Sequence, residues 1–129
     1  MTTQSSFQET RTFVDVEHCV DAILAKVGKR IVFGMPLGLG KPNHLVNALY
    51  LRAKQDPSLH LRIMTALSLE VPKGNSDLEK KFLQPFVKRV WGNYPALDYL
   101  TDLGANNLPP NVEVSEFFMK AGVFLNNVV

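Results

Sequence analysis

Residues 34–45 read GMPLGLGKPNHL, with three glycines and two prolines, and what flanks them decides the fold. On the amino-terminal side, KRIVF (29–33) is a short β-branched run that suits a buried strand. On the carboxyl-terminal side, NHLVNALYLRAKQD (43–56) sets Leu45, Val46, Leu49, Tyr50 and Ala53 on one side of a helix that ends at Asp56-Pro57. The stretch is therefore a glycine-rich turn between a strand and a helix, with Pro42 at the first helical turn, where its missing N–H costs nothing.

Working outward, VDVEHCVDAILAKVG (14–28) spaces Val16, Cys19, Val20, Ile23, Leu24 and Val27 by three and four, which predicts an amphipathic helix stopped by Gly28. LHLRIMTALSLEV (59–71) alternates Leu59, Leu61, Ile63 and Thr65 with His60, Arg62 and Met64, the pattern of a strand with one buried side. Ser76 lies three residues ahead of Glu79, the spacing of a capping box, and Pro85 is expected to kink or split the helix that follows. A short helix in YPALDYLTDLG (94–104) and a third strand in VEVSEFF (112–118) complete a β-α-β-α-β order after an initial helix. That order predicts an α/β domain with an open, mainly parallel sheet flanked by helices. Residues 1–13 are polar, without a cap or period, and are expected to be frayed.

Bulk properties narrow the function. The chain has 129 residues, 46% hydrophobic and 20% charged, enough for one packed core. Its net charge of +2 is dispersed, without the basic block that tracks a nucleic-acid backbone. No apolar run approaches the roughly 18 residues of a membrane span, and the start MTTQSSFQETRTF lacks the basic-then-apolar pattern of a secretion signal, so a cytoplasmic location is expected. Cys19 is the one cysteine, which excludes an intrachain disulfide and a cysteine-rich zinc site; His60 has no second histidine at ligand spacing, and no metal is expected. Cys19 and His18, adjacent on a helix, point about 100° apart and do not form a nucleophile–base pair, so Cys19 is read as packing and His18 as solvated.

In an open parallel sheet, turns after the carboxyl ends of strands line the ligand crevice, and glycines there let backbone N–H groups approach an anion or carbonyl. The spacing G-x-x-x-G-x-G is not the dinucleotide fingerprint, and a phosphate loop ending at Gly40-Lys41 would need glycine and Ser/Thr where Met35 and Pro42 stand.

The runs RIVFGMPLGLGKPNHLVNALYLRA (30–53), LRIMTALSLEVP (61–72) and NVEVSEFFMKAGVFLNN (111–127) resemble the amino-terminal portion of the acetyl-CoA hydrolase/transferase family, which includes succinyl-CoA:acetate and 4-hydroxybutyrate CoA-transferases. The resemblance runs loosely from about residue 16 onward and is most specific in the glycine-rich loop and the EFF..AG..L.N segment. It implies a CoA-transferase-like α/β fold and coenzyme A as substrate. A glutamate carboxylate would attack the thioester and pass through a glutamyl-CoA thioester, resolved by an acceptor carboxylate or water. Family members are several hundred residues long, with that glutamate in a second domain, so the resemblance implies that 14–129 is the amino-terminal part of an incomplete domain, with no catalytic residue of its own and a missing second domain as partner. A homo-oligomer, no nucleic acid and no membrane are expected. The apolar ending AGVFLNNVV fits that expectation, with bare apolar surface or unpaired strand edges left behind.

By that resemblance Gly34, Pro36, Gly38, Gly40 and Pro42 form the substrate and CoA loop, Asn43 at the helix start reaches a ligand or caps, and Thr65, Leu67 and Ser68 form the next crevice-facing turn. Arg62 and Lys41 are candidates for CoA phosphates, against the ordinary reading of solvated surface. Glu116 is read as a site-wall or strand-edge residue rather than the nucleophile, Glu70 and Glu113 have no assigned role, and Trp91 and the phenylalanines are read as core or interdomain packing. The alternative is a small-ligand or protein-binding α/β module without chemistry.

Overall fold

The structure, a computed structural model, describes residues 10–117. The elements are α1 (Val16–Val27), β1 (Arg30–Gly34), a single 3-10 turn over Gly38–Gly40, α2 (Asn43–Gln55), β2 (His60–Thr65), α3 (Asp77–Val90), α4 (Asp98–Gly104) and β3 (Val112–Glu116). The strands form one parallel sheet in the order β1-β2-β3, with Arg30 opposite His60 and Leu61 opposite Val112. The α/β class and the parallel, open sheet are as the element order requires. Nine residues at the start and the apolar run from Phe118 onward lie outside the described residues, and with them the expectations for a frayed start and for the AGVFLNNVV ending.

One core holds the domain. Ile31, Leu61, Ile63 and Val112 on one side of the sheet pack with Val20 of α1, with Val46, Leu49, Tyr50 and Ala53 of α2, and with Leu97 and Tyr99 at α4. Each large apolar side chain buried there contributes about 1.5–3 kcal/mol. Helix ends follow local chemistry. Asp15 caps α1 by accepting from the amides of Glu17 and His18, and Gly28 ends it with φ 84°, a left-handed position glycine adopts without strain. Ser76 and Glu79 form the expected capping box of α3.

Four expectations need correction. β1 is not a fully buried strand: Val32 is 67% exposed, because among the described residues helices cover only one side of the sheet. Pro85 does not split α3, which is assigned as one helix; its missing N–H would have paired with Lys81, and both residues are exposed, where water can serve that carbonyl. Phe82 and Phe86 do not belong to the core but are exposed on α3. Cys19 is only half-buried and stands outside the core cluster.

Ion pairs tie the helices to one another at the surface. Arg52 on α2 bonds Glu17 (2.9 Å) and Asp21 (2.8 Å) on α1, while Tyr50 (2.6 Å) and Lys54 (2.7 Å) on α2 both donate to Asp102 of α4. At the carboxyl-terminal cap of α2, the Lys29 ammonium and the Ser58 hydroxyl and amide hold Asp56 down to about 2. Asp102 is likewise lowered, by Lys54 and then Tyr50. Both carboxyls have folded pKa values below those of the unfolded chain, so their contribution is present above about pH 4 and lost as pH falls through the folded values, which for Asp56 means toward 2. In acid titrations followed by circular dichroism, Asp56→Asn should flatten the fall in stability between pH 4 and 2 relative to the native chain.

Candidate functional site

The three strands end at one edge of the sheet, and the turns that leave them meet there. The amide of Met35 bonds the carbonyl of Met64 (2.9 Å), Gly38 N–H bonds the carbonyl of Leu67 (3.1 Å), and Phe117 N–H bonds the carbonyl of Thr65 (3.0 Å). Gly38 has φ 62°, so its turn needs glycine, and Leu67 has φ 47°, a left-handed conformation that costs a non-glycine residue about 1–2 kcal/mol. A side chain added at Gly34 would meet nothing within 4 Å, and one at Gly40 would only touch Pro36 at 3.6 Å. Packing among the described residues therefore does not require glycine at positions 34 and 40.

Lys41 is the centre of this edge. It is 6% exposed, and its ammonium donates to the carbonyls of Ala66 (2.8 Å), Leu67 (3.1 Å) and Gly38 (3.5 Å). Three donors meet three acceptors, so the group clamps the turn after β1 to the turn after β2 and has no N–H left for a phosphate. Burial lowers its pKa, and the nearby Glu116 carboxylate acts in the opposite direction. Neither solvated surface nor phosphate contact describes this lysine. Arg62 is also displaced from its expected role: it pairs with Glu113 (3.2 Å) on the uncovered side of the sheet, away from the turns.

Glu116, at the end of β3, accepts from the Ser68 amide (3.2 Å), and the Ser68 hydroxyl shares a 2.6 Å hydrogen bond with the Tyr99 hydroxyl. Burial raises the Tyr99 pKa against the Ser68 hydrogen bond. Glu116 thus braces the turn after β2 from the end of β3. Thr65 is wholly buried and its hydroxyl faces the Pro36 carbonyl at 3.4 Å, so it packs the turn after β1 instead of facing a crevice. Leu37, Leu39, Leu67 and Phe117, all on these turns, expose their side chains and give the edge an apolar surface.

Pro42 and Asn43 point the site in a second direction. With Leu39, Lys41, His44 and Tyr94 they line a cleft of about 670 Å³ at the start of α2, bounded on its far side by residues 11–16 and by Cys19. Asn43 Nδ2 donates to the Pro95 carbonyl (2.7 Å), which ties α2 to the approach to α4. Among the described residues its buried Oδ1 and the buried Tyr94 hydroxyl find no hydrogen-bond partner, an unfavourable arrangement costing about 1–3 kcal/mol per group.

The structure thus joins Gly34, Pro36, Gly38, Gly40, Leu67 and Ser68 at one edge, and turns Pro42 and Asn43 to the adjoining cleft. Tyr99, Tyr94 and the buried state of Lys41 were missed by sequence reasoning, which had no periodicity or motif to mark them. Among the described residues no group of three or more His, Cys, Asp or Glu side chains is placed to hold a metal, and no helix is long and apolar enough to cross a membrane. No protein-family model, curated protein or solved structure matches the chain.

Proposed function

We propose that this chain is the amino-terminal part of an acyl-CoA hydrolase or CoA-transferase, in which the edge formed by Gly34–Pro42 and Ala66–Ser68 walls the thioester site. The reading rests on the sequence resemblance, and the observation that carries it further is the clamp: a buried lysine holds the glycine-rich turn against the next turn, at the edge where open parallel sheets bind ligands. Backbone amides of such a turn suit the oxyanion of a thioester intermediate, and the exposed leucines beside it suit an acyl chain or the pantetheine arm. The glutamate nucleophile belongs to a second domain outside this chain, the setting is cytoplasmic, and the acceptor is a small carboxylic acid or water.

The two unpartnered oxygens beside the α2 cleft favour a second reading, a small-ligand-binding module without chemistry. Calorimetry separates the two. On the first reading the purified chain binds acetyl-CoA without turnover in the presence of succinate, and Gly40→Val weakens binding tenfold or more while leaving the fold intact, since the added Cβ makes only an ordinary contact with Pro36 on the protein side. Equal acetyl-CoA affinity in the folded Gly40→Val chain, or no binding by the native chain, would remove the first reading.

A further inference from the structure

Parallel sheets are ordinarily covered on both faces. Here one face carries Arg30, Val32, His60, Arg62, Met64 and Glu113 to the surface. A hollow of about 430 Å³ lies on it, bounded by the strands and by Pro110 and Asn111, with no helix among its walls. On this face Val32 and Met64 form the apolar part and Arg30, His60 and Arg62 a basic part, with Glu113 paired to Arg62. The same chain holds a helix without a sheet. No residue of α3 is buried, and none belongs to the core. Leu78, Phe82, Phe86 and Val90 recur at every fourth position as one apolar stripe, with Leu78 80% and Phe82 82% exposed.

We infer that these two surfaces are one interface: α3 of one copy of the chain covers the open sheet face of a second copy, reciprocally, in a two-fold dimer. The dimensions agree. Fourteen helical residues extend about 21 Å, strands of five or six residues about 17–20 Å, and three strands at about 4.8 Å spacing present a strip about as wide as one helix. When Phe82 lies over Val32 and Phe86 toward Met64, the first turn of α3, with Asp77, lies over Arg30, while Arg62 stands level with Val32 and keeps its pair with Glu113. Because each chain holds one of each surface, the exchange closes on itself and leaves neither exposed. The inference is independent of what the glycine-rich edge binds.

Sedimentation equilibrium of the full chain should show a dimer. Phe82→Asp and Val32→Asp should each raise its dissociation constant about 30-fold or more, as expected for a charge placed at an apolar anchor, with the far-ultraviolet circular dichroism unchanged. In a Cys19→Ser background, chains with Val32→Cys mixed with chains with Phe82→Cys should form a disulfide-linked heterodimer on mild oxidation. A native monomer at the highest attainable concentration overturns the inference, as does a dimer sensitive to Phe82→Asp but not to Val32→Asp. A single chain with both cysteines that links only within itself would show α3 covering its own sheet, and overturns it too.

Discussion

Lys41→Met should lower the stability of the chain by about 3 kcal/mol, the upper part of the range for a hydrogen-bonded charged group whose partners stay buried. Methionine keeps much of the lysine stem's volume, so little of the loss comes from packing. What is removed is the ammonium that bonds the carbonyls of Ala66, Leu67 and Gly38. The substitution also abolishes the desolvation cost of a buried charge, which sets the loss below the sum of three such bonds. At a urea dependence of about 2 kcal/mol per molar, the unfolding midpoint should fall by about 1.5 M. Hydrogen exchange should quicken first at the amides of Gly38 and of residues 66–68, because the turns after β1 and β2 lose their common tie. Lys41→Arg should not restore the native midpoint: the planar guanidinium does not fit a cradle of carbonyls shaped around a compact ammonium.

Asn111→Ala should cost about 2–3 kcal/mol at the opposite edge of the sheet. The Asn111 amide donates to the carbonyls of Leu59 (2.7 Å) and Ala53 (2.8 Å), with Asp56 at 3.3 Å. It therefore joins the last turn of α2, the connection to β2 and the start of β3. Removal leaves the ends of the helix and of the strand connection short of a donor in a partly buried place, and it opens the register between β2 and β3, which begins where Leu61 N–H bonds the Asn111 carbonyl (3.0 Å). Thermal unfolding should shift down by about 10 °C for a domain of this size. A loss below about 0.5 kcal/mol would mean that water replaces the side chain without penalty.

These two residues also mark the limit of what the sequence discloses. The alternation of Leu59, Leu61, Ile63 and Thr65 was legible because a strand buried on one side has a period of two, and burial follows it residue by residue along β2. The stop of α2 at Asp56, the cap at Ser76 and the glycine end of α1 were legible because each is a contact between residues close in the chain. Lys41 and Asn111 reach partners about 25 to 58 residues away, and such pairs exist only once the sheet has brought the turns together. Residue type then misleads: a lone lysine after glycine reads as solvated surface, yet here it is the buried clamp. The open sheet face was half legible, since β2 alternates but β1 reads as a continuous apolar run. The phenylalanines of α3 read as packing because apolar periodicity shows that a stripe exists, not whether anything covers it. For the site, the glycine-rich turn and its neighbour were placed at one edge as expected, whereas Pro42 and Asn43 turn to a separate cleft because the start of α2 points them past the strands.

The central claim is that the edge built by the glycine-rich turn, clamped by Lys41, is where coenzyme A and its thioesters bind. Amide chemical-shift mapping by nuclear magnetic resonance, with coenzyme A titrated into the full chain, tests it most directly. The account expects the largest shifts at Gly34, Gly38, Gly40, Leu67 and Ser68, with much smaller ones at Arg30, His60 and Asn111 on the opposite edge. Saturating coenzyme A that leaves those five amides unmoved, or that moves only the opposite edge, would contradict it.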